Sequence, residues 1–198
     1  MKPFVIGITG GIAGGKTAVT DILTTLGACV LDADVISRKV IEKGTKGEKL
    51  LKKAFPNAYE TGELDRDALR KEVFSCEQKR QKLNAITHPL IRKEARNLIK
   101  KSGEKVVFFA VPLLFESGFD KDCDYTVCVH CDYDIRIKRL LARNTNLTND
   151  DAEAIIKSQM SDAKRIALSD EVILNNDGVE ELRAVVEKFY ARIMEEAQ

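Results

Sequence analysis

The sequence predicts an α/β fold in which a parallel sheet is flanked by helices, and three observations carry this prediction. Short apolar runs rich in β-branched residues alternate with stretches of helical periodicity, as in consecutive βαβ units. A glycine-rich loop joins the first apolar run to the first helical stretch. About 70 residues lie between the second and third runs, far more than a crossover requires, which predicts a helical insertion on the sheet.

The first run and the loop after it form the clearest motif of the chain. Residues 10–17 read Gly-Gly-Ile-Ala-Gly-Gly-Lys-Thr, which matches Gly, any four residues, Gly, Lys and Ser or Thr, the pattern of the phosphate-binding P-loop. A strand predicted at residues 3–9 precedes the loop, and a helical pattern that ends at Gly27 follows it, as the motif requires. The alternative interpretation is a plain glycine-rich turn from a strand to a helix.

The residue types of the loop suit phosphate binding. Glycines let backbone N–H groups approach phosphate oxygens that a Cβ would block, and the helix N-terminus adds its dipole. Lys16 would reach the β- and γ-phosphates of a nucleoside triphosphate, and the Thr17 hydroxyl would ligate Mg²⁺. The predicted nucleotide-binding residues of the loop are Gly11, Ile12, Ala13, Gly14, Gly15, Lys16, Thr17 and Ala18.

Length and composition are those of one globular domain. The chain has 198 residues, of which 44% are hydrophobic and 32% charged, and its net charge is +1. This small charge gives no reason to expect nucleic-acid or membrane partners, and we expect a monomer or weak oligomer. No apolar run approaches the roughly 20 residues of a membrane-spanning helix. The five cysteines, an odd count, favour reduced thiols, so we expect a cytoplasmic protein.

The remaining strands and the last helix follow from apolar runs and their periodicity. The run at residues 105–111 is apolar almost throughout, as expected for the centre of a parallel sheet. The other predicted elements are strands at residues 28–31, 125–129 and 171–174, a helix from Val35 that Gly44 ends, and a helix from Val179 to about Glu195.

The long insertion reads as helical, with several start and stop signals. One helix ends before Pro56, and Asp65 and Ser75 are each placed to cap a following helix. His88-Pro89 interrupts the pattern, and helical spacing resumes over residues 90–99. An insertion of this size is a candidate for binding a second substrate.

Three carboxylates follow strands of the predicted sheet. Ligands of open α/β sheets bind beyond the carboxyl ends of the strands, so Asp32, Asp34 and Glu116 are expected to converge on the P-loop edge. Asp34 would orient, or take a proton from, the hydroxyl of an acceptor. Asp32 is placed to hold a water on Mg²⁺, and Glu116 to contact either the acceptor or a basic neighbour. The alternative is that one aspartate caps the helix beginning at Val35.

Basic residues cluster on the helix that Asp132 is predicted to cap. Arg136, Arg139 and Arg143 lie at helical spacing, which favours either a lid that closes over transferring phosphates or a solvated basic face. Thr148 with Asp151 predicts a capping box for a further helix through Gln159. His88 is either a structural residue or a hydrogen-bond partner of the acceptor. Cys128 and Cys131 have the spacing of a metal pair, but no second pair exists, which favours plain thiols.

Taken together, these motifs resemble the dephospho-CoA kinase family over essentially the whole chain. The aspartate pair, the His-Pro segment and the Pro-Leu-Leu-Phe-Glu segment are more specific than the P-loop alone. The residues that carry the resemblance are Gly7-Ile8-Thr9-Gly10-Gly11-Ile12 with Gly15-Lys16-Thr17, Asp32-Ala33-Asp34, His88-Pro89-Leu90-Ile91, Pro112-Leu113-Leu114-Phe115-Glu116, Arg139, Arg143, Gln159, Arg165, Asp170 and Asn175-Asn176-Asp177-Gly178.

The resemblance implies ATP-dependent phosphorylation of the ribose 3′-hydroxyl of dephospho-CoA, giving coenzyme A and ADP with Mg²⁺. It implies that Asp34 is the catalytic aspartate and that Arg139 and Arg143 are lid arginines that act with Lys16. Asn175, Asn176 and Gly178 match the segment that flanks adenine, and Arg143 also touches the nucleotide. The implied fold is a P-loop NTPase core of five parallel strands at about 1–34, 105–135 and 166–198, a helical substrate-binding insertion at about 35–104 and a helical lid at about 136–165.

One departure from the family pattern lies within the P-loop. Ala13 stands where the family usually has a glycine, and Gly14 stands where it usually has a serine. Because the backbone donors and Lys16 remain, we expect ATP binding to persist. We expect the affinity for ATP to be weaker at most, since the missing serine hydroxyl removes one phosphate contact. Two other functions stay open at this point: another small-molecule kinase, and a GTPase-like switch, although the sequence lacks the Asn-Lys-any-Asp guanine motif.

Overall fold

The computed structural model describes residues 2–197, which contain one five-stranded parallel sheet. The strand order is β2-β3-β1-β4-β5, so the strand that leads into the P-loop lies at the centre. This confirms the predicted parallel α/β sheet. The strands are β1 (Phe4–Gly10), β2 (Cys29–Asp32), β3 (Val106–Ala110), β4 (Tyr125–His130) and β5 (Glu171–Leu174).

Nine α-helices occur within residues 2–197, and most begin close to the predicted positions. They are α1 (Lys16–Thr25), α2 (Ala33–Lys39), α3 (Lys46–Ala54), α4 (Arg66–Phe74), α5 (Glu77–Ser102), α6 (Tyr133–Arg143), α7 (Asn149–Lys157), α8 (Asp162–Leu168) and α9 (Val179–Glu196). The short helix α8 has no counterpart among the predicted elements. None of these helices combines the length and apolar character needed to cross a membrane.

The sheet is buried where β1 pairs with both neighbours. Ile6 lies beside Phe108 of β3 and Tyr125 of β4, and it is fully buried. Helices α1 and α9 cover this part of the sheet through an apolar cluster that includes Leu23 and Phe189. Parallel strands covered in this way read as continuous apolar runs, which is why the pattern of β3 was informative. The result is a fixed platform for the loop that follows β1.

Residues 33–101 form one compact unit, and the remaining described residues form another. The unit of residues 33–101 has an apolar cluster of its own, built around Leu51, Phe55 and Leu69. Asp65 caps α4 as predicted, because its side chain accepts hydrogen bonds from the N–H groups of Asp67 and Ala68 at 2.9 Å. The division into core, insertion and lid describes function and stays a prediction.

Three predictions about helix boundaries in this unit were wrong. Gly44 does not end the helix predicted from Val35, because α2 runs from Ala33 to Lys39 and turns separate it from α3. Ser75 does not cap a helix start; it ends α4, and its hydroxyl donates to the Glu72 carbonyl. His88-Pro89 does not interrupt the following helix, since α5 runs without a break through Pro89. A proline inside a helix costs one backbone hydrogen bond, but burial of Ile91 and Ala95 on the next turns keeps the helix packed.

The helices after β4 begin at the predicted caps and differ from the predictions in two respects. Thr148 and Asp151 form the predicted capping box at the start of α7. Asp132 occupies the N-cap position of α6, but its side chain makes no capping hydrogen bond. Helix α7 ends at Lys157 rather than at Gln159. Gln159 therefore lies in the connection to α8, outside the regular helix.

Candidate active site

The P-loop forms a compact turn between β1 and α1. The Gly14 N–H donates to the Gly11 carbonyl at 2.9 Å, and α1 begins at Lys16 as predicted. Gly15 has a φ of 99°, in the left-handed region that favours glycine, and a Cβ there would overlap the amide nitrogen of Asn175. A glycine is therefore required at this position by both the backbone conformation and the close approach of Asn175.

Five N–H groups in the loop and in the first turn of α1 have no hydrogen-bond acceptor within residues 2–197. Within residues 2–197, no hydrogen bond is made by the N–H groups of Ala13 or of residues 15–18. The last three belong to the first turn of α1, whose N–H groups have no partner within the helix. Together with the helix dipole, these donors suit the binding of phosphate oxygens.

Lys16 and Thr17 lie at the same end of α1. The Lys16 side chain is half-buried, Thr17 is exposed, and neither side chain makes a hydrogen bond or ion pair within the described part of the chain. An ammonium group and a hydroxyl group beside a set of N–H donors give the site positive charge and an oxygen ligand. This arrangement is suited to a polyphosphate with a bound cation.

Ala13 has a positive φ, a backbone conformation that usually favours glycine. Its φ is 60°, which costs a residue with a Cβ roughly 1–2 kcal/mol relative to ordinary backbone. Its methyl group is buried against Leu140 of α6 and against Ala152 and Ile156 of α7. Burial of one methyl group contributes about 0.8 kcal/mol, so packing offsets much of the strain. The departure from the glycine pattern thus attaches the loop to α6 and α7.

Three side chains from distant parts of the chain bond the backbone of the loop. Gln159 Oε1 accepts from the Ile12 N–H at 2.8 Å, and Arg136 Nε donates to the Ile12 carbonyl at 2.8 Å. Asn175 Nδ2 donates to the Gly14 carbonyl at 2.9 Å, and Asn175 is buried. The Ile12 N–H, predicted to bind nucleotide, is therefore engaged by Gln159 in this structure.

Arg136 belongs to a buried ionic cluster. Its side chain is 2% exposed, and Nη1 lies 2.5 Å from Asp162 Oδ2. Arg165, 1% exposed, donates to the other oxygen of Asp162 at 2.8 Å, and its Nη2 lies 4.0 Å from Glu116 Oε1. The alternative in which Arg136 lies on a solvated basic face is therefore wrong, whereas the lid stays a prediction. Paired carboxylates make the burial of two guanidinium groups tolerable.

The two arginines of α6 predicted to act on phosphates have different surroundings. Arg139 is half-buried and donates through Nη1 to Cys131 Sγ at 3.2 Å. Burial raises the pKa of the Cys131 thiol, although Arg139 opposes this, so the thiol stays neutral and offers Arg139 only a weak acceptor. Arg143 is the last residue of α6 and is exposed.

The predicted carboxylates are divided between the two compact units. Asp32 ends β2 and pairs in register with Ala110 at the carboxyl end of β3. Glu116 follows β3, and a hydrogen bond from Thr9 Oγ1 to the Pro112 carbonyl at 3.1 Å ties its segment to β1. Glu116 lies beside Arg165, as the basic-neighbour interpretation expected. Asp34 is exposed in the first turn of α2, in the unit of residues 33–101.

The remaining predicted residues lie on α5 and after β5. His88 is half-buried within α5, and burial lowers the pKa of its imidazole, with Arg92 adding to the effect. After β5, the side-chain oxygen of Asn176 accepts from the Asp132 N–H at 2.8 Å, and Gly178 precedes α9 in an exposed position. Contact of any of these residues with a ligand stays a prediction.

The supporting roles of Gln159, Arg136 and Asn175 were not predicted. A single glutamine after a helix and an arginine on a basic helix carry no local signal that they bond a loop over 100 residues earlier. Asn175 was assigned to the nucleotide, yet its side-chain amide bonds the loop itself. Such roles depend on the topology that places β1, β4 and β5 side by side.

Comparison with known proteins gives consistent similarities over nearly the full chain. A sequence model for "Dephospho-CoA kinase" matches residues 4–181. A protein of that name from Fusobacterium nucleatum is 41% identical over 191 residues, covering 96% of this chain and 98% of its own. Another from Shewanella oneidensis is 37% identical over 197 residues, covering 98% and 96%. A crystal structure of a Thermus thermophilus protein superposes with a TM-score of 0.86 at 31% identity, covering 97% and 98%.

Proposed function

This chain belongs to the dephospho-CoA kinase family, and we propose that its P-loop and Asp34 transfer the γ-phosphate of ATP to the ribose 3′-hydroxyl of dephospho-CoA. The chain is thus a kinase, a phosphotransferase to an alcohol group, and its products are coenzyme A and ADP. This reaction is the last step of coenzyme A biosynthesis. The observation that carries this conclusion is the family match from residue 4 to residue 181, in which a loop with unpaired N–H donors stands at the P-loop position.

The donor side of the reaction is assigned to the P-loop and Lys16. Phosphoryl transfer passes through a loose transition state, so positioning and charge neutralisation contribute more than base strength. The N–H groups of Ala13 and of residues 15–18 would bind the phosphates, and the Lys16 ammonium would bind the β- and γ-phosphate oxygens. Because no other side chain among residues 2–197 engages Lys16, its charge is available for that role.

The Thr17 hydroxyl, at the start of α1, suits Mg²⁺ that is held mainly by a nucleotide. Thr17 is exposed, and residues 2–197 contain no group of three or more His, Cys, Asp or Glu side chains that would form a protein cage. Mg²⁺ is usually held by one or two protein oxygens together with substrate phosphates. We infer that Thr17 holds the ion and that Asp32 holds one of its waters. When bound, Mg²⁺ would neutralise phosphate charge.

The acceptor side is assigned to Asp34, His88 and Glu116. Asp34 is an exposed carboxylate that would orient the 3′-hydroxyl and take its proton. The half-buried His88 would hydrogen-bond dephospho-CoA from the helical insertion, and Glu116, fixed beside Arg165, would contact the same substrate. These roles require residues 35–104 to act as the substrate-binding insertion.

Arg139 and Arg143 are assigned to the transferring phosphate. Arg139 makes only a weak bond to Cys131, and Arg143 is exposed at the end of α6, so both guanidinium groups are available to an anion. Their role requires the segment of residues 136–165 to act as the lid, which would also exclude water. The segment of Asn175, Asn176 and Gly178 would lie along adenine, with the Asn175 side chain bonded to the Gly14 carbonyl.

A cytoplasmic location and a monomeric or weakly oligomeric state complete the proposal. The five cysteines are free, as expected in a reducing compartment. The net charge of +1 gives no reason to propose a nucleic-acid or membrane partner, and the proposed partners are ATP and dephospho-CoA.

The decisive experiment compares acceptors under identical conditions. ADP release is measured with ATP and Mg²⁺ and with dephospho-CoA, nucleosides, nucleoside monophosphates or shikimate as acceptor. We expect turnover with dephospho-CoA to exceed turnover with every other acceptor. Preference for another acceptor would indicate a different small-molecule kinase. Tighter binding of GTP than of ATP, with no acceptor turned over, would indicate a nucleotide switch.

A further inference from the structure

Arg136 and Gln159 both bond Ile12, a residue in the middle of the phosphate-binding loop. We propose that these two side chains are positioning residues for the reaction: they hold two successive peptide groups of the loop, and so fix its backbone with the N–H donors that follow Ile12 facing the phosphates of ATP. The proposal rests on the proposed ATP site. It assigns a task in catalysis to two side chains that reach the loop from α6 and from the connection between α7 and α8.

The geometry of the peptide group explains how such a bond sets the direction of a donor. In a trans peptide the C=O and the following N–H point in opposite directions, and residues 2–197 contain no cis peptide bond. Arg136 holds the Ile12 carbonyl, so the N–H of Ala13 is directed to the opposite side of the loop. Asn175 holds the Gly14 carbonyl in the same way, which directs the N–H of Gly15. Neither N–H has an acceptor within residues 2–197.

Gln159 fixes the peptide group on the other side of Ile12. Its Oε1 accepts from the Ile12 N–H at 2.8 Å, while the carbonyl of the same peptide, on Gly11, accepts from Gly14 at 2.9 Å. Two successive peptide groups are therefore held, one through Gln159 and Gly14, the other through Arg136. The Ile12 N–H is used for support, which leaves phosphate binding to the donors that follow it.

Arg136 is itself held firmly enough to direct a backbone group. Its guanidinium is buried, with Nη1 2.5 Å from Asp162, and Asp162 is fixed from its other oxygen by Arg165. The loop is shaped to receive this guanidinium, since a Cβ on Gly11 would come within 2.5 Å of Arg136 Nη2. A lysine at position 136 would keep the positive charge but lacks the planar fork that bonds Ile12 and Asp162 together.

The test compares Arg136→Lys and Gln159→Met with Lys138→Gln, an exposed residue of the same helix α6. The dissociation constant of MgATP is measured by calorimetry on the full chain, and kcat and both KM values are measured with dephospho-CoA. We expect MgATP to bind about tenfold more weakly to Arg136→Lys, equivalent to about 1.4 kcal/mol. We expect about threefold to tenfold weakening in Gln159→Met. In both variants KM for dephospho-CoA stays within twofold of wild type, and Lys138→Gln matches wild type throughout.

A purely structural role would reduce the folded fraction, and hence kcat, without raising the MgATP dissociation constant of the folded molecules. Thermal unfolding is therefore recorded first, and binding is measured at least 15 °C below the unfolding midpoint. This margin is roughly four times the shift of about 4 °C in the midpoint that a 1 kcal/mol change in stability causes in a domain of this size. Unchanged MgATP binding in folded Gln159→Met would overturn the proposal, whether or not Arg136→Lys folds. Failure of the proposed function is distinguishable, because wild type would then bind MgATP without phosphorylating dephospho-CoA.

Discussion

The phosphate-binding loop and the helical unit of residues 33–101 are held in shape by contacts of different range. The peptide groups of the loop are bonded by Arg136, Gln159 and Asn175, which lie 124, 147 and 161 residues from their partners. The helical unit is held by caps such as Asp65, which bonds N–H groups two and three residues onward, and by an apolar cluster of its own.

This difference separates the chemistry of a motif from its geometry. The P-loop motif supplies donors, a lysine and a hydroxyl, but remote side chains fix the direction of its peptide groups. The caps of the helical unit act within one turn and need no remote partner. Changes at the loop should therefore alter ATP binding and turnover, whereas changes at a cap should alter stability and leave ATP binding intact.

Replacing Lys16 is expected to give the largest effect at the loop. Lys16→Ala removes the one side-chain charge at the start of α1 that has no partner within residues 2–197. Loss of a key donor to developing charge costs roughly 3–4 kcal/mol, or about 10²–10³ in kcat. Steady-state kinetics with dephospho-CoA measure this change. A fall of less than about tenfold, worth about 1.4 kcal/mol, would contradict the role given to Lys16.

Replacing Asp34 tests the acceptor side of the reaction, where we expect a change in turnover without a change in MgATP binding. Asp34→Asn keeps the size of an exposed side chain but removes its charge. We expect kcat to fall about 100-fold, at the lower end of the range for loss of general-base assistance, while the dissociation constant of MgATP stays within twofold. Ser37→Ala, which alters the same helix, serves as the control. Wild-type turnover in Asp34→Asn would rule out this assignment.

Removing a local cap should affect stability alone. Asp65→Ala deletes the side chain that accepts two hydrogen bonds at the start of α4, and loss of such a cap typically costs about 1 kcal/mol. Urea unfolding measures the change, and calorimetry measures MgATP binding in the same samples. Glu60→Ala, at an exposed position in the same unit, is the control. MgATP binding weakened severalfold by Asp65→Ala would show that the two regions are not independent in the way proposed.

The smallest expected effect is a pH dependence of stability from His88. Burial lowers the pKa of His88 below its ordinary 6.5, so the unfolded chain takes up this proton at a higher pH than the folded chain does. As pH falls through 6.5 towards the folded pKa, the proton favours unfolding and the free energy of unfolding decreases. His88→Gln should lose less stability than wild type between pH 7.5 and 5.5. Equal losses in urea unfolding would show that His88 does not contribute.

Features set by neighbouring residues could be predicted from the sequence, and features set by distant residues could not. The strands, the start of α1, the Asp65 cap and the capping box of α7 all follow from residues within a few positions of one another. Helix α8 is only seven residues long and depends on its cap, Ser161, which accepts from the Lys164 N–H. A helix this short leaves little periodicity to detect.

The errors have tertiary causes. Pro89 has the character of a helix breaker, but burial of neighbouring residues on α5 outweighs the lost hydrogen bond. Arg136 shares its spacing with Arg139 and Arg143, and only the contact with Asp162, 26 residues later, distinguishes a buried arginine from a surface one. The P-loop motif located the candidate site, but its supports lie in segments that become neighbours only through the strand order β1-β4-β5.

The claim that remote side chains give the loop its working shape is tested most directly at Asn175. Asn175→Ala removes the buried hydrogen bond to the Gly14 carbonyl and leaves every residue of the P-loop motif in place. The dissociation constant of MgATP is measured for this variant and for Asn57→Ala, an exposed asparagine of the helical unit, well below their unfolding temperatures. We predict that Asn175→Ala binds MgATP at least tenfold more weakly than wild type and that Asn57→Ala binds it with wild-type affinity. Wild-type MgATP affinity in folded Asn175→Ala would contradict the account.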